Sequence, residues 1–272
     1  MDNRPIGIFD SGSGGLSIWK AITTKLPHES ILYTADHRNI PYSTKSAEII
    51  RKRVVEFIRF FLAKQVKLIV IACNTATVAG IDFFRETFPG IPIVGVVPVI
   101  KTAAEKSKTK NFAVLSTEFT AKSVYQKKLI SSFASDCTVL SIGNTALVEF
   151  VESGKKDSKE VYDVLEKLLR LLLKKNIDTL VLGCTHFPFL RPVIQDIVGP
   201  DVVILDSGEA VARRVQRILE HEKLLANNMK PSYQFFTTGD TQKVSAVVSD
   251  LLKMPIVVTK VPDFDTIEPW TD

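Results

Sequence analysis

VKLIVIACNTAT, residues 66–77, carries an unbroken apolar run where an alternating one would mark a half-solvated strand. Continuous branched residues fit a strand buried on both faces, the usual condition of parallel strands under helices. Short apolar runs of this kind recur at 6–9, 31–34, 67–72, 92–97, 112–116, 138–142, 178–183, 202–205, 233–237 and 255–259. Helical patterns lie between them. Residues 46–64 put Ile50, Val54, Phe57 and Phe61 on one stripe. Residues 158–175 repeat Val161, Leu165, Leu168 and Leu172, with Asp157 and Glu160 spaced as a capping box. The alternation predicts an α/β protein with mainly parallel sheets.

A second stretch, IDTLVLGCTHFP (177–188), repeats the parts of the first: apolar strand, small residue, Cys, then Thr within two positions. IGIF-DSG near the N-terminus and FAVLS-TEFT in mid-chain likewise both end a strand in a polar turn. Two similar, pseudo-symmetric doubly wound lobes would account for this. The expected boundaries are 1–99 completed by 209–272 for the N-terminal lobe, and 100–208 for the second.

Composition narrows the class. The chain has 272 residues, 45% hydrophobic and 24% charged, which is enough to bury a core without disulfides or a structural metal. Its net charge of +5 is modest. The basic residues mostly alternate with acids, as in RKRVVEFIRF and LEKLLRLLLKK, and read as solvated helix faces rather than a nucleic-acid track. No leader pattern and no apolar run near ~18 residues occurs, so no membrane partner is expected and the cytoplasm is the expected compartment. Three cysteines without CxxC spacing make neither a disulfide framework nor a zinc site.

IGIFDSGSGG (6–15) follows a strand with a glycine-rich turn, the setting of many phosphate sites. A Walker loop would need GxxxxGK[ST], and no such Lys pair follows Gly12. A GxGxxG fingerprint would need glycine where Ser17 stands. Asp10 would also set a carboxylate against the anion. Two readings remain: a plain tight turn, or a functional acid beyond the carboxyl end of a strand, where open α/β sheets bind ligands.

Free cysteine is commonly inert core, and Cys137, opening the strand CTVLSI, keeps that reading. Cys73 and Cys184 both stand at the carboxyl end of a strong strand, where exposed N–H groups and a helix dipole favour a thiolate. A single-thiol hydrolase would pair Cys184 with His186, yet residues two apart in an extended segment point apart. Metal binding would want more ligands in reach. Stereoinversion is a third option, one thiolate removing a proton from one face of a carbon and the other thiol delivering one to the opposite face.

GIFDSGSGGLS, PYS (41–43), ACNTAT (72–77) and GCTHFP (183–188) resemble, in order and spacing, the signature segments of the glutamate racemase family, over about the whole chain. The resemblance implies two doubly wound lobes with the active site in the cleft between them, and glutamate as the small-molecule partner. It implies no cofactor and no metal. Cys73 and Cys184 would be the catalytic acid/base pair, assisted by Asp10 and His186 respectively, with Glu152 and Asp36 as further acids. Ser11, Tyr42, Ser43, Asn74, Thr75, Thr117, Thr120 and Thr185, together with Asp10 and His186, would surround the substrate. For the Thr and Asn residues, capping of the following helices is the competing role, and one position can serve both. A homodimer is left open.

The chain departs from the family pattern at Ser43, where glycine is usual, and in GNTALVEFVESG, where Glu149 replaces a common proline. Two alternatives stand beside glutamate racemisation, which would supply D-glutamate to peptidoglycan synthesis. One is a racemase of aspartate or another amino acid, and the other is a non-catalytic binding protein.

Overall fold

A computed structural model describes residues 1–262. The last ten residues of the expected N-terminal lobe therefore lie outside the described residues. Among the described residues there are ten strands: β1 (Ile6–Asp10), β2 (Ile31–Ala35), β3 (Leu68–Ile71), β4 (Ile93–Gly95), β5 (Asn111–Ser116), β6 (Thr138–Gly143), β7 (Thr179–Leu182), β8 (Val203–Leu205), β9 (Tyr233–Thr237) and β10 (Val258–Lys260). They form two sheets in which every pairing is parallel. The chain divides into two compact units, Met1–Val96 with the segment from Gly208 onward, and Val97–Ser207.

The first unit orders its strands β10-β9-β2-β1-β3-β4, and the second β6-β5-β7-β8. The block β2-β1-β3-β4 thus has the same winding as β6-β5-β7-β8. In each, the chain leaves the first strand to one side and later returns on its other side. That reversal makes a switch point, at β1/β3 in one unit and β5/β7 in the other. One backbone bond is repeated as well: Ala72 N–H donates to Phe9 O at 2.7 Å, and Gly183 N–H to Leu115 O at 2.7 Å. The short sequence repeat reflects a repeated topology.

The cores follow from the strand composition. β1, β2, β3 and β7 are buried along their whole length, as continuous branched runs require. The helix Ala47–Ala63, N-capped by Ser46, buries Ile50, Val54, Phe57 and Phe61.

Three sequence expectations need correction. The helix Lys159–Leu173 is capped by Ser158, whose oxygen accepts from Val161 N–H, so Asp157 does not begin a capping box. Its buried stripe runs through Leu169 rather than Leu168. The last strand starts at Val258 and not at 255: its pairing with β9 begins at Val258 opposite Phe235, and the preceding segment is tied to serine hydroxyls, Ile256 N–H donating to Ser249. Cys137 precedes β6 and is only partly buried beside a core cluster of the second unit.

Candidate active site

In the first unit, the β1/β3 switch point gathers residues from three loops. Asp10 is the last residue of β1 and is fully buried, and its Oδ1 accepts Gly12 N–H at 2.8 Å. Tyr33 Oη holds the same turn by donating to Gly12 O at 2.6 Å. The Gly12 amide is therefore occupied by the chain's own carboxylate, which fits the exclusion of a phosphate loop. At Gly15 a Cβ would stand 2.7 Å from Asp10 Cβ and 3.1 Å from Ala72 Cβ, so glycine is required by close approach.

Cys73 directly follows Ala72 and N-caps the helical segment Asn74–Thr87, which kinks at Gly80, its Sγ accepting from Ala76 N–H at 3.4 Å. The positive end of that helix dipole favours negative charge at the sulfur. Ser11 Oγ lies 3.4 Å from the same Sγ. Asn74 and Thr75 are buried at the helix start, and Asn74 Nδ2 donates to Val96 O. The cap is thus the thiol, and Asn74 spends its side-chain amide elsewhere.

Tyr42 and Ser43 lie on the one-turn helix Tyr42–Thr44. Tyr42 is buried and donates to Asp36 Oδ2 at 2.8 Å, whereas Ser43 is half-buried. Burial raises the Tyr42 phenol well above its ordinary pKa, and the negative charges of Asp36 and Cys73 add to that. The group stays a neutral donor.

Asp36 is itself fully buried and oversupplied with donors: Asn39, Tyr42, Thr238 and both Nε and Nη2 of Arg53. Burial alone would push its carboxyl up, but the hydrogen bonds of Arg53 and Thr238 and the Arg53 charge hold it below the usual range. Six contacts exceed the roughly four lone-pair sites of a carboxylate, which suits an anchor better than a proton carrier. Arg53 itself was read from the sequence as part of a solvated helix face. It turns inward instead, since position 53 flanks the apolar stripe of its helix, three residues after Ile50 and four before Phe57.

The second unit builds its group on β5 and β7. Thr117 follows β5 and N-caps the short helix Glu118–Lys122, while its hydroxyl donates to Thr120 Oγ1 at 3.1 Å. Cys184, Thr185 and His186 follow β7 and are buried. Here the sequence argument against a Cys184–His186 contact fails, because the segment is a bend and turn rather than extended, with His186 at φ −74° and ψ −33°. Cys184 Sγ and His186 Nδ1 are 3.7 Å apart.

The other ring nitrogen, Nε2, is 2.7 Å from Glu152 Oε1. Burial would lower the pKa of His186, but hydrogen bonding and charge from Cys184 and Glu152 raise it well above its ordinary value. The GNTALVEFVESG segment carries two acids, and they point to different surroundings. Glu152 meets the histidine, and Glu149, one helical turn earlier, is exposed.

The sequence reading missed Arg53, Thr238 and a bridge in which His37 joins Ser13 Oγ (3.0 Å) to Thr237 Oγ1 (2.8 Å). Thr237 and Thr238 lie about 200 residues from their partners, so no local pattern marks them. Among the described residues, no group of three or more His, Cys, Asp or Glu side chains is placed to hold a metal ion, and no helix is long and apolar enough to cross a membrane.

The chain matches the family model for Asp/Glu/hydantoin racemases over residues 16–215. It is 42% identical to a glutamate racemase of Ectopseudomonas mendocina, over 93% of this chain and 96% of that one. Two solved structures superpose along nearly the full length. The Escherichia coli glutamate racemase in complex with L-glutamate and the activator UDP-MurNAc-ala gives a TM-score of 0.84 at 33% identity, covering 95% of this chain and 98% of that one. The Francisella tularensis glutamate racemase in complex with D-glutamate gives 0.86 at 31% identity, covering 98% and 100%. With four signature segments, the repeated winding and these likenesses together, the chain belongs to the glutamate racemase family.

Proposed function

We propose that the chain interconverts L- and D-glutamate, with Cys73 and Cys184 as the two acid/base groups, and so supplies D-glutamate for peptidoglycan synthesis. One observation carries this reading: each unit sets one cysteine immediately beyond the second strand of its switch point, after the same backbone bond. Relatives solved with L-glutamate and with D-glutamate support the substrate.

In this reading one thiolate takes the α-proton and becomes a thiol, while the other thiol gives a proton to the opposite face and becomes a thiolate. The protein's charge is unchanged and its protonation is mirrored. Asp10 serves the Cys73 side, and His186 with Glu152 serves the Cys184 side. Ser11, Tyr42, Ser43, Asn74, Thr75, Thr117, Thr120 and Thr185 offer hydroxyl, amide and backbone N–H groups to the substrate's charged ends. The two lobes of the family correspond here to Met1–Val96 with the chain from Gly208, and Val97–Ser207. The reading also carries a cytoplasmic location; it leaves a homodimer open, and sedimentation of the purified chain would test that.

The experiment is incubation with L-glutamate in D₂O, following the α-proton by NMR and the optical signal by circular dichroism. Exchange with inversion is expected. Absence of both with glutamate sinks this reading, and inversion of aspartate alone would replace the substrate.

A further inference from the structure

We infer that Arg53 is a positioning residue for the reaction, fixing Tyr42 and Ser43 beside Cys73 by way of the Asp36 carboxylate. The inference rests on the glutamate reading above, and none of the residues already placed around the substrate includes Arg53.

Arg53 reaches Asp36 with two nitrogens, Nε to Oδ2 at 3.0 Å and Nη2 to Oδ1 at 3.2 Å. That fork fixes the plane of the carboxylate, which a point charge would not do. Its third nitrogen, Nη1, is held by Glu56 on the next turn of the same helix. The guanidinium lies 5.6 Å from the centre of the Phe57 ring, and Phe57 packs at 4.6 Å against Phe9, the residue before Asp10. The fork is thus held by Glu56 and by the Phe57 ring as well as by Asp36.

Asp36 passes that rigidity on. Its Oδ2 accepts from Tyr42 Oη and its Oδ1 from Thr238 Oγ1, so one carboxylate ties the Tyr42–Thr44 turn to the segment after β9. The arrangement depends on Arg53, because removing one member of a buried ion pair strands the other's charge. The charged or titratable groups around the carboxylate are Arg53, Glu56 beyond it, Tyr42 with Cys73 behind it, His37 next in the chain, and Asp10 on the adjacent strand, whose backbone oxygen accepts the Asp36 N–H at 3.1 Å. Only Arg53 among these supplies positive charge to Asp36.

The test compares wild type, Arg53→Met, Arg53→Lys and the double variant Asp36→Asn/Arg53→Met, measuring kcat and KM for both glutamate enantiomers across pH. Arg53→Met should raise KM about tenfold while kcat moves less than about threefold, since the group positions a binding turn and touches no reacting atom. Its KM should improve as pH falls, because protonation relieves the stranded carboxylate. Arg53→Lys should recover part of the loss, keeping charge without the fork. The double variant should lose the pH dependence, and it keeps the test open if the single variant fails to fold.

An unchanged KM and pH profile in Arg53→Met would overturn the inference, as would a loss confined to kcat. If the wild-type chain fails to turn over glutamate, the racemase reading alone falls. A crystal structure of Arg53→Met or Arg53→Lys then decides, with displacement of residues 42–44 expected and an undisturbed Tyr42–Asp36 contact refuting the role.

Discussion

His186 bridges Glu152 and Cys184, with 2.7 Å on one side of the ring and 3.7 Å on the other. A carboxylate on one nitrogen fixes the ring's orientation and stabilises its protonated form, so the sulfur sits against a positive neighbour. In the proposed reaction Glu152 would therefore act on the thiol through the imidazole.

Glu152→Gln keeps a hydrogen-bonding side chain and removes the charge. The His186 pKa should fall, and turnover should drop by about 10- to 100-fold with the fold intact. Stability carries the same signature. A histidine whose folded pKa is raised stabilises fully below its unfolded pKa of about 6.5, and that contribution is lost as pH rises through the folded value. Thermal midpoints should decline over this window more steeply in wild type than in Glu152→Gln. Imidazole NMR titration measures the shift directly, and an unmoved His186 titration would remove the proposed coupling.

Gly15→Ala tests the turn after β1. The added carbon would meet Asp10 Cβ at 2.7 Å, Tyr33 Oη at 3.0 Å and Ala72 Cβ at 3.1 Å, all on packed elements. The cost should be about 1–3 kcal/mol in denaturant unfolding. Turnover should fall as well, because Asp10 is pushed directly.

The ten strands and both cysteine loops were legible because their signals are local: branched runs, strand ends and small-residue turns. Contacts made over a long chain separation were not. Arg53 looked like one charge among RKR, and only the folded helix aims it at Asp36, 17 residues back. The Cys184–His186 contact was misread because the sequence does not display the bend after β7, which reverses the usual i, i+2 divergence. The cap of Lys159–Leu173 slipped by one position because Asp157 and Ser158 are both good caps and a sequence pattern does not separate them; the cap is the serine.

That choice is measurable. Ser158→Ala should cost about 1 kcal/mol, the usual value of a lost N-cap, whereas Asp157→Ala should stay within about 0.5 kcal/mol. Chemical unfolding of the two variants side by side reads the difference, and equal costs would contradict the assigned cap.

Lys67 and Glu29 form a buried pair at 2.6 Å, and Lys67 Nζ also donates to Asp2 O and Leu224 O. One ammonium thus ties the start of β3 to the N-terminal segment and to the chain after residue 221. Lys67→Met should destabilise by about 3–5 kcal/mol, since it strands the carboxylate. The double variant Glu29→Gln/Lys67→Met should recover part of this, and urea midpoints would show it. No recovery would place the loss in the two carbonyl bonds instead.

The two-thiol chemistry makes its sharpest prediction about exchange without inversion. Cys73→Ser and Cys184→Ser each remove one acid/base group, so each should lose inversion by about 10³-fold or more. The surviving thiolate still faces one side of the α-carbon and can reach the α-proton of one enantiomer alone. Any exchange remaining in D₂O should therefore be confined to one enantiomer, and the favoured enantiomer should be opposite in the two variants. Wild-type inversion by either variant would refute the mechanism. So would exchange favouring the same enantiomer in both, because two bases on opposite faces cannot share one substrate hand.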